Sequence, residues 1–211
     1  HELIEDEDIS ALLPAEEVSV KIYERGTDTV IENGKIICEI TRTGKLRFLN
    51  QNGKLLLEEY ERIRGMQEEG REEFNSALEI VPRTFEPRQS TDNYRLTVRF
   101  EPVDGEKLYG MGQYQQPYLD VKGCTLELAH RNSQASIPFA LSSNGYGFLW
   151  NNPAIGAVTF GKNVTQWTAE STKQMDYWIT AGDTPAEIEE AYANATGKVP
   201  MMPEYGMGFW Q

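Results

Sequence analysis

The sequence predicts a mainly β protein, built as an antiparallel β sandwich with one short helix near its C-terminus. Apolar and polar residues alternate in many short runs, as they do in strands with one buried face. Turn residues, above all glycine and asparagine, separate these runs at short intervals. With 39% hydrophobic residues among 211, the chain has enough apolar side chains for a substantial core.

The N-terminal half predicts an acidic arm followed by a meander of short strands. The arm covers residues 1–17, and a half-buried strand is expected next, because Val18, Val20 and Ile22 alternate with polar residues. Asn33-Gly34 lies between two apolar runs and predicts a tight hairpin. Further strands are expected at 46–49, 55–57 and 94–100, and the charged residues 61–76 predict a long exposed loop.

The C-terminal half predicts more strands and then the helix. A strand is expected to begin at residue 108, with a turn at 110–112, before strands at 124–128, 137–142, 147–151, 157–160, 165–170 and 175–180. Thr184 is the expected N-cap of the helix, Pro185 its first residue, and Glu187 its capping-box partner. Gly197 is expected to end the helix.

The composition argues against several classes of partner. A net charge of −13 lacks the basic footprint that nucleic acid or an anionic membrane surface requires. No apolar run approaches the about 18 residues of a membrane span. With two histidines and two cysteines we expect no metal site and no cofactor. Cys38 and Cys124 lie in apolar runs and predict buried free thiols, which favours a cytoplasmic location, with a secreted or periplasmic location as the alternative.

Two polar segments are the candidates for chemistry, although neither contains a nucleophile, a base and an oxyanion site together. Gln113–Tyr118 and Arg131–Gln134 are rich in amides, phenols and arginine. Such groups donate to vicinal hydroxyls, and aromatic faces cover the CH surface of a sugar ring. The segments therefore predict either carbohydrate contacts or polar loops that satisfy their own backbones.

Four motifs occur in a fixed order from residue 108 to the end of the chain. They are Leu108–Gln113, Leu119–Gly123, Ile137–Phe139 with Ser142–Asn152, and Tyr177–Gly182 followed by the helix and Pro200–Gln211. In this order they resemble the N-terminal β sandwich of glycoside hydrolase family 31, which has the galactose-mutarotase-like super-sandwich fold. Over residues 1–106 only the strand pattern fits.

The resemblance implies a retaining α-glycosidase, acting on α-glucosides or α-xylosides, of which this chain is the non-catalytic N-terminal part. We expect the sandwich to cover residues 18–183. Residues 184–211 would form a linker helix and the first strand of a (β/α)8 barrel. In the family two barrel aspartates act as nucleophile and acid/base. Both would lie beyond Gln211, so we expect this chain alone to be inactive.

The resemblance also implies which residues shape the sugar pocket. The matching loop is Arg131, Asn132 and Ser133, although family members often carry an aspartate where this chain has Asn132. Gln113 and Gln115 are further candidates. Trp210, near the end of the expected barrel strand, would either line the pocket or pack inside the barrel.

Two alternative functions and a prediction of self-association follow from the same residues. A free-standing carbohydrate-binding module would bind sugar by itself. A mutarotase-like epimerase would need a histidine and a glutamate converging as acid and base, and His130 is the only histidine in the interior of the sequence. The chain starts at His1 and stops within the apolar run Tyr205–Gln211, so we expect a fragment. Without its own catalytic barrel as partner, that run is expected to cause self-association.

Overall fold

The computed structural model describes residues 10–14, 18–63 and 79–208, and in these ranges it confirms a mainly β architecture with one α-helix. The strands are β1 Lys21–Arg25, β2 Asp28–Asn33, β3 Ile36–Ile40, β4 Leu46–Asn50, β5 Leu55–Glu58, β6 Arg83–Pro87, β7 Tyr94–Phe100, β8 Leu108–Gln113, β9 Thr125–Leu128, β10 Ala135–Ser142, β11 Tyr146–Leu149, β12 Gly156–Phe160, β13 Thr165–Thr172 and β14 Trp178–Ala181. The helix α1 covers Pro185–Thr196, and a short 3-10 turn covers Glu204–Gly206.

The strands form three antiparallel sheets. Sheet A is a meander of β1 to β5 in chain order. Sheet B has the order β6-β7-β13-β12-β9, and sheet C has the order β14-β11-β10-β8. An isolated bridge between Glu59 and Phe100 joins the end of sheet A to β7 of sheet B. Crossovers between sheets B and C make this a sandwich rather than a simple meander.

Aromatic side chains from sheets B and C form the centre of the core. Phe148 of β11 contacts Phe100 of β7 and Trp167 of β13, with ring centroids 5.4 Å and 5.0 Å apart. Tyr177 stacks on Phe148 at 5.0 Å and also meets Phe48 of sheet A edge-on. One hydrophobic core therefore connects all three sheets.

The helix packs against sheet C through a small second cluster. Ile188 is buried with Phe139 and Leu149, and Tyr192 stacks on Phe139 with a centroid distance of 4.0 Å. The expected N-cap is confirmed, because the Thr184 hydroxyl accepts from the backbone N–H of Glu187 at 3.3 Å. The Glu187 carboxylate reaches back to the N–H of Asp183, one residue before the cap, at 3.0 Å. Lys35 from the β2–β3 turn binds the same carboxylate.

The prediction for the first strand is wrong in its burial. Strand β1 begins at Lys21, and each of its residues is exposed. Val18, Val20 and Ile22, expected to face the core, are 59%, 40% and 68% exposed. Sheet A contacts the main core through β3, β4 and β5, and β1 lies at the opposite side of the sheet, away from that core.

The turn expected at residues 110–112 is also wrong, because these residues continue strand β8. The two glycines allow close approach to β10: a Cβ on Gly110 would lie 2.6 Å from the Phe139 carbonyl oxygen. The β8–β10 register shifts between Ser136 and Ala140, and Gly110, Met111 and Gly112 all have positive φ. The glycines thus mark a bulge rather than a chain reversal.

A strand was expected from Tyr205, but Glu204–Gly206 form a 3-10 turn. A strand needs neighbours for its backbone hydrogen bonds, and no described strand lies beside this segment. Its N–H groups bond locally instead, with the Gly206 N–H donating to the Pro203 carbonyl at 2.8 Å. The end of the run, with Trp210, lies outside the described residues, as does most of the loop expected at 61–76.

Both cysteines are free thiols, as expected, but each is only partly buried. Burial and the nearby Glu59 and Glu39 carboxylates raise the pKa of Cys38 to about 11. A thiol with such a pKa is protonated at neutral pH and is therefore a poor nucleophile. No helix in the described ranges is long and apolar enough to cross a membrane.

Candidate functional site

The two polar segments singled out in the sequence meet at one end of sheet C. In the β8–β10 register, Gln113 lies opposite Ala135, and Gly112 lies opposite Ser136. Residues 131–134 immediately precede β10, so they lie beside the end of β8 and the loop that follows it. The structure therefore brings Gln113 into the neighbourhood of the Arg131–Ser133 loop, which the sequence alone could not do.

The loop itself is a tight turn with its tip exposed. Arg131 and Gln134 exchange two backbone hydrogen bonds of 3.1 Å and 3.2 Å, which leaves Asn132 and Ser133 as the exposed central pair. The Gln134 amide donates to the Ala129 carbonyl at 2.9 Å and fixes the base of the turn. We call residues 131–134 the polar turn. Its tip presents an amide and a hydroxyl to solvent.

Arg131 is held by a carboxylate of its own chain. Its Nε and Nη2 donate to the two Glu127 carboxylate oxygens at 2.8 Å and 2.6 Å. These hydrogen bonds raise the pKa of Arg131 and lower the pKa of Glu127. A bidentate pair fixes the plane of the guanidinium. Arg131 thus anchors the polar turn to β9, and its Nη1 has no hydrogen bond within the described part of the chain.

Tyr114 lies in the predicted polar segment, but sequence reasoning did not single it out among the site residues. Its hydroxyl donates to the Glu127 carbonyl at 2.8 Å and lies 2.8 Å from the Ser136 hydroxyl. Burial raises its pKa. It therefore joins the end of β8 to β9 and β10 beneath the polar turn. Its position between the candidates Gln113 and Gln115 was the available sequence signal. That position alone does not show whether the ring is buried or faces solvent.

The remaining candidate residues have fewer contacts with the polar turn or lie outside the described ranges. Gln113 and Gln115 are exposed, at the end of β8 and in the loop beyond it. His130 precedes the polar turn, and its Nδ1 accepts from the Ser136 N–H at 3.3 Å. Trp210 cannot be placed relative to these residues because it lies outside the described ranges.

The geometry suits hydrogen bonding rather than covalent chemistry. Amide, hydroxyl and guanidinium groups lie together at an open edge, and among these described residues no nucleophile is paired with a base. An open edge cannot exclude water from a ligand by itself. The surface is therefore suited to form one wall of a site that a second surface would complete.

Residues 4–158 match the family model for the glycosyl hydrolase 31 N-terminal galactose mutarotase-like domain. The chain belongs to this domain family. The match covers most of the chain and agrees with the three antiparallel sheets. The resemblance noted from the motifs after residue 107 thus extends to the N-terminal half, where only the strand pattern had fitted.

Curated relatives are family 31 enzymes. An uncharacterised family 31 glucosidase of Pseudescherichia vulneris is 52% identical over 208 residues, which is 96% of this chain and 39% of that protein. An α-xylosidase of Saccharolobus solfataricus is 33% identical over 132 residues, which is 58% of this chain and 18% of the enzyme. The chain thus spans well under half the length of these relatives.

Similarity to solved structures supports the same family assignment. A family 31 α-xylosidase from a soil metagenome, solved in complex with xylose, is 54% identical, with a TM-score of 0.89. The similarity covers 95% of this chain and 30% of that one. A xylosidase from Aspergillus niger has a TM-score of 0.74 at 25% identity. The family membership does not favour a free-standing binding module or an epimerase.

Proposed function

We propose that this domain is the N-terminal part of a retaining α-glycosidase that hydrolyses α-xylosides or α-glucosides. The observation that carries the proposal is the 54% identity and TM-score of 0.89 with the α-xylosidase solved with xylose. The names of the relatives favour α-xylosides as the first substrates to test. Catalysis would belong to a barrel that follows this domain, and the domain alone would be inactive.

Within this enzyme the polar turn would border the sugar. Asn132 and Ser133 offer hydrogen bonds to hydroxyl groups, while Arg131 and Tyr114 hold the turn in place. A rigid polar wall favours binding because little side-chain entropy is lost when the ligand arrives. Trp210 remains a candidate for the same pocket on the barrel side.

The activity is tested on the whole protein that contains this chain. The expected result is hydrolysis of p-nitrophenyl α-D-xyloside or α-D-glucoside, with no hydrolysis of the β-xyloside. The 211-residue chain alone is expected to leave all three intact. The proposal fails if the whole protein hydrolyses neither α-glycoside.

The role of the polar turn is tested by Asn132→Ala and Ser133→Ala in the whole protein. Losing one substrate hydrogen bond should lower kcat/KM by about threefold to tenfold. Asn52→Ala is the matched control, because Asn52 lies in an exposed turn between β4 and β5. If both turn variants match this control, the polar turn does not contact the substrate.

We further propose that the barrel covers the apolar segment after α1. Val199, Met201 and Tyr205 are 92%, 95% and 88% exposed in the described structure. Exposed apolar residues in such number mark a contact surface. The isolated chain is therefore expected to self-associate through residues 199–211, as measured by light scattering. A monomer at high concentration would contradict this.

A further inference from the structure

A polar cavity lies away from the polar turn, beside the N-terminal segment. Its volume is about 280 Å³. It lies between Ser10, the start of β7, the segment after β11 and the β13–β14 connection. Most of the side chains around it are neutral hydrogen-bonding groups, and Asp176 and Lys173 contribute one charge of each sign.

Two hydrogen-bonded amides, the buried Asn151 and the partly buried Asn152, hold the back of the cavity. Asn151 accepts from the Ala11 N–H at 3.0 Å and donates to Ser10 at 3.1 Å and to Asp176 Oδ2 at 2.6 Å. Asn152 donates to Thr172 at 3.0 Å. Because these amides are bonded on several sides, the cavity keeps its shape without a ligand. This is the preorganisation that small-molecule sites require.

Other polar groups in the cavity remain open. Within the described chain, Asp176 Oδ1 and the Gln174 side-chain amide have no hydrogen-bond partner, and neither does the Lys173 ammonium. Burial raises the pKa of Asp176, against the effect of its bond to Asn151. A partly desolvated carboxylate gains from an additional donor. The cavity thus offers one strong acceptor with amide and ammonium donors close by.

The chemistry of these groups selects the ligand class. Asp176 disfavours an anion, and a single carboxylate beside Lys173 is a poor site for a divalent cation, which prefers several oxygen ligands. The polar lining disfavours an apolar ligand. A hydroxyl group can donate to a carboxylate while a neighbouring hydroxyl accepts from an amide or ammonium group.

We propose that this cavity binds one ring of a neutral sugar or a related cyclic polyol. The carboxylate of Asp176 would accept from one hydroxyl, and Gln174 and Lys173 would donate to its neighbours. The volume lies below the roughly 300 Å³ at which pockets for drug-sized ligands begin, which suits a single ring. The assignment comes from the cavity lining and does not depend on the proposed glycosidase activity.

The test uses the whole protein with myo-inositol, a neutral cyclic polyol that has no glycosidic bond to cleave. Saturation-transfer NMR measures its binding to the wild type, to Gln174→Ala and to Asp176→Asn. Each variant removes one hydrogen-bonding group, so binding should weaken about threefold or more. Gln51→Ala, in the exposed β4–β5 turn, is the matched control and should bind as the wild type does.

Two results would overturn the proposal. One is no saturation transfer to myo-inositol in the wild type, and the other is equal transfer in all four proteins. Lys173→Ala provides a further variant if Asp176→Asn disturbs the fold through Asn151, which circular dichroism would detect. The kcat/KM for the α-xyloside should be the same in every variant, so loss of hydrolysis and loss of polyol binding can be distinguished.

Discussion

Gly156 shows how closely single residues are fitted in the sandwich. A Cβ on this residue of β12 would lie 1.9 Å from the Thr168 carbonyl oxygen of β13. The overlap is with backbone, so no side-chain movement can relieve it. Only glycine fits at this position, because the spacing between the two strands leaves no room for a Cβ atom.

Gly156→Ala is therefore expected to destabilise the protein by about 2 kcal/mol, because β12 and β13 must separate to admit the methyl group. Thermal denaturation followed by circular dichroism measures this as a lower Tm. Gly208→Ala is the matched control, since a Cβ there meets no atom within 4 Å. Equal Tm values for the two variants would contradict the packing described here.

The Glu127–Arg131 pair predicts a local pH dependence. The hydrogen bond from Arg131 lowers the pKa of Glu127, so the pair is present above the ordinary carboxyl pKa of about 4.3. It is lost as the pH falls through the depressed folded value. An NMR titration of the Glu127 carboxyl should give a midpoint below the ordinary value. In Arg131→Ala the midpoint should rise, and an unchanged midpoint would show that the pair does not form in solution.

At the scale of elements, α1 depends on a side chain at its first turn. Thr184 Oγ1 satisfies the N–H of Glu187, and the Glu187 carboxylate satisfies the N–H of Asp183. The helix is held against sheet C by Ile188 and Tyr192. Its position therefore depends on both the cap and the apolar face.

Thr184→Ala should remove the cap and cost about 1 kcal/mol. The loss is measurable as a lower urea midpoint with an unchanged slope. Thr184→Ser keeps the accepting hydroxyl and should stay close to the wild type. Equal midpoints for the alanine and serine variants would show that the cap does not contribute to stability.

The same elements show what the sequence could predict. The β2–β3 hairpin and the capped helix depend on neighbours in sequence, so local turn and capping chemistry predicted both, although the turn residues are Gly34 and Lys35 rather than Asn33 and Gly34. The exposure of β1 depends on its distance from the core strands β4 and β5, which alternation cannot reveal. Gly110 and Gly112 were misread for a related reason, because only the pairing of β8 with β10 shows that they lie in a strand.

At the scale of the molecule, the sandwich presents two separate polar surfaces. The polar turn was predicted from composition and family resemblance, but its link to Tyr114 through Glu127 arises from the pairing of distant strands. The cavity at Asp176 was not predicted, because residues near 10, 93, 151 and 174 come together only in the folded chain. Contacts between residues far apart in sequence leave little local signal.

The decisive measurement is the anomeric form of the first product when the whole protein hydrolyses p-nitrophenyl α-D-xyloside, followed by proton NMR. A retaining mechanism proceeds through two displacements, so α-xylose should appear first and then convert to the equilibrium mixture of anomers. An initial release of β-xylose would contradict the retaining mechanism. If neither the α-xyloside nor the α-glucoside were hydrolysed, the chain would not be part of an α-glycosidase.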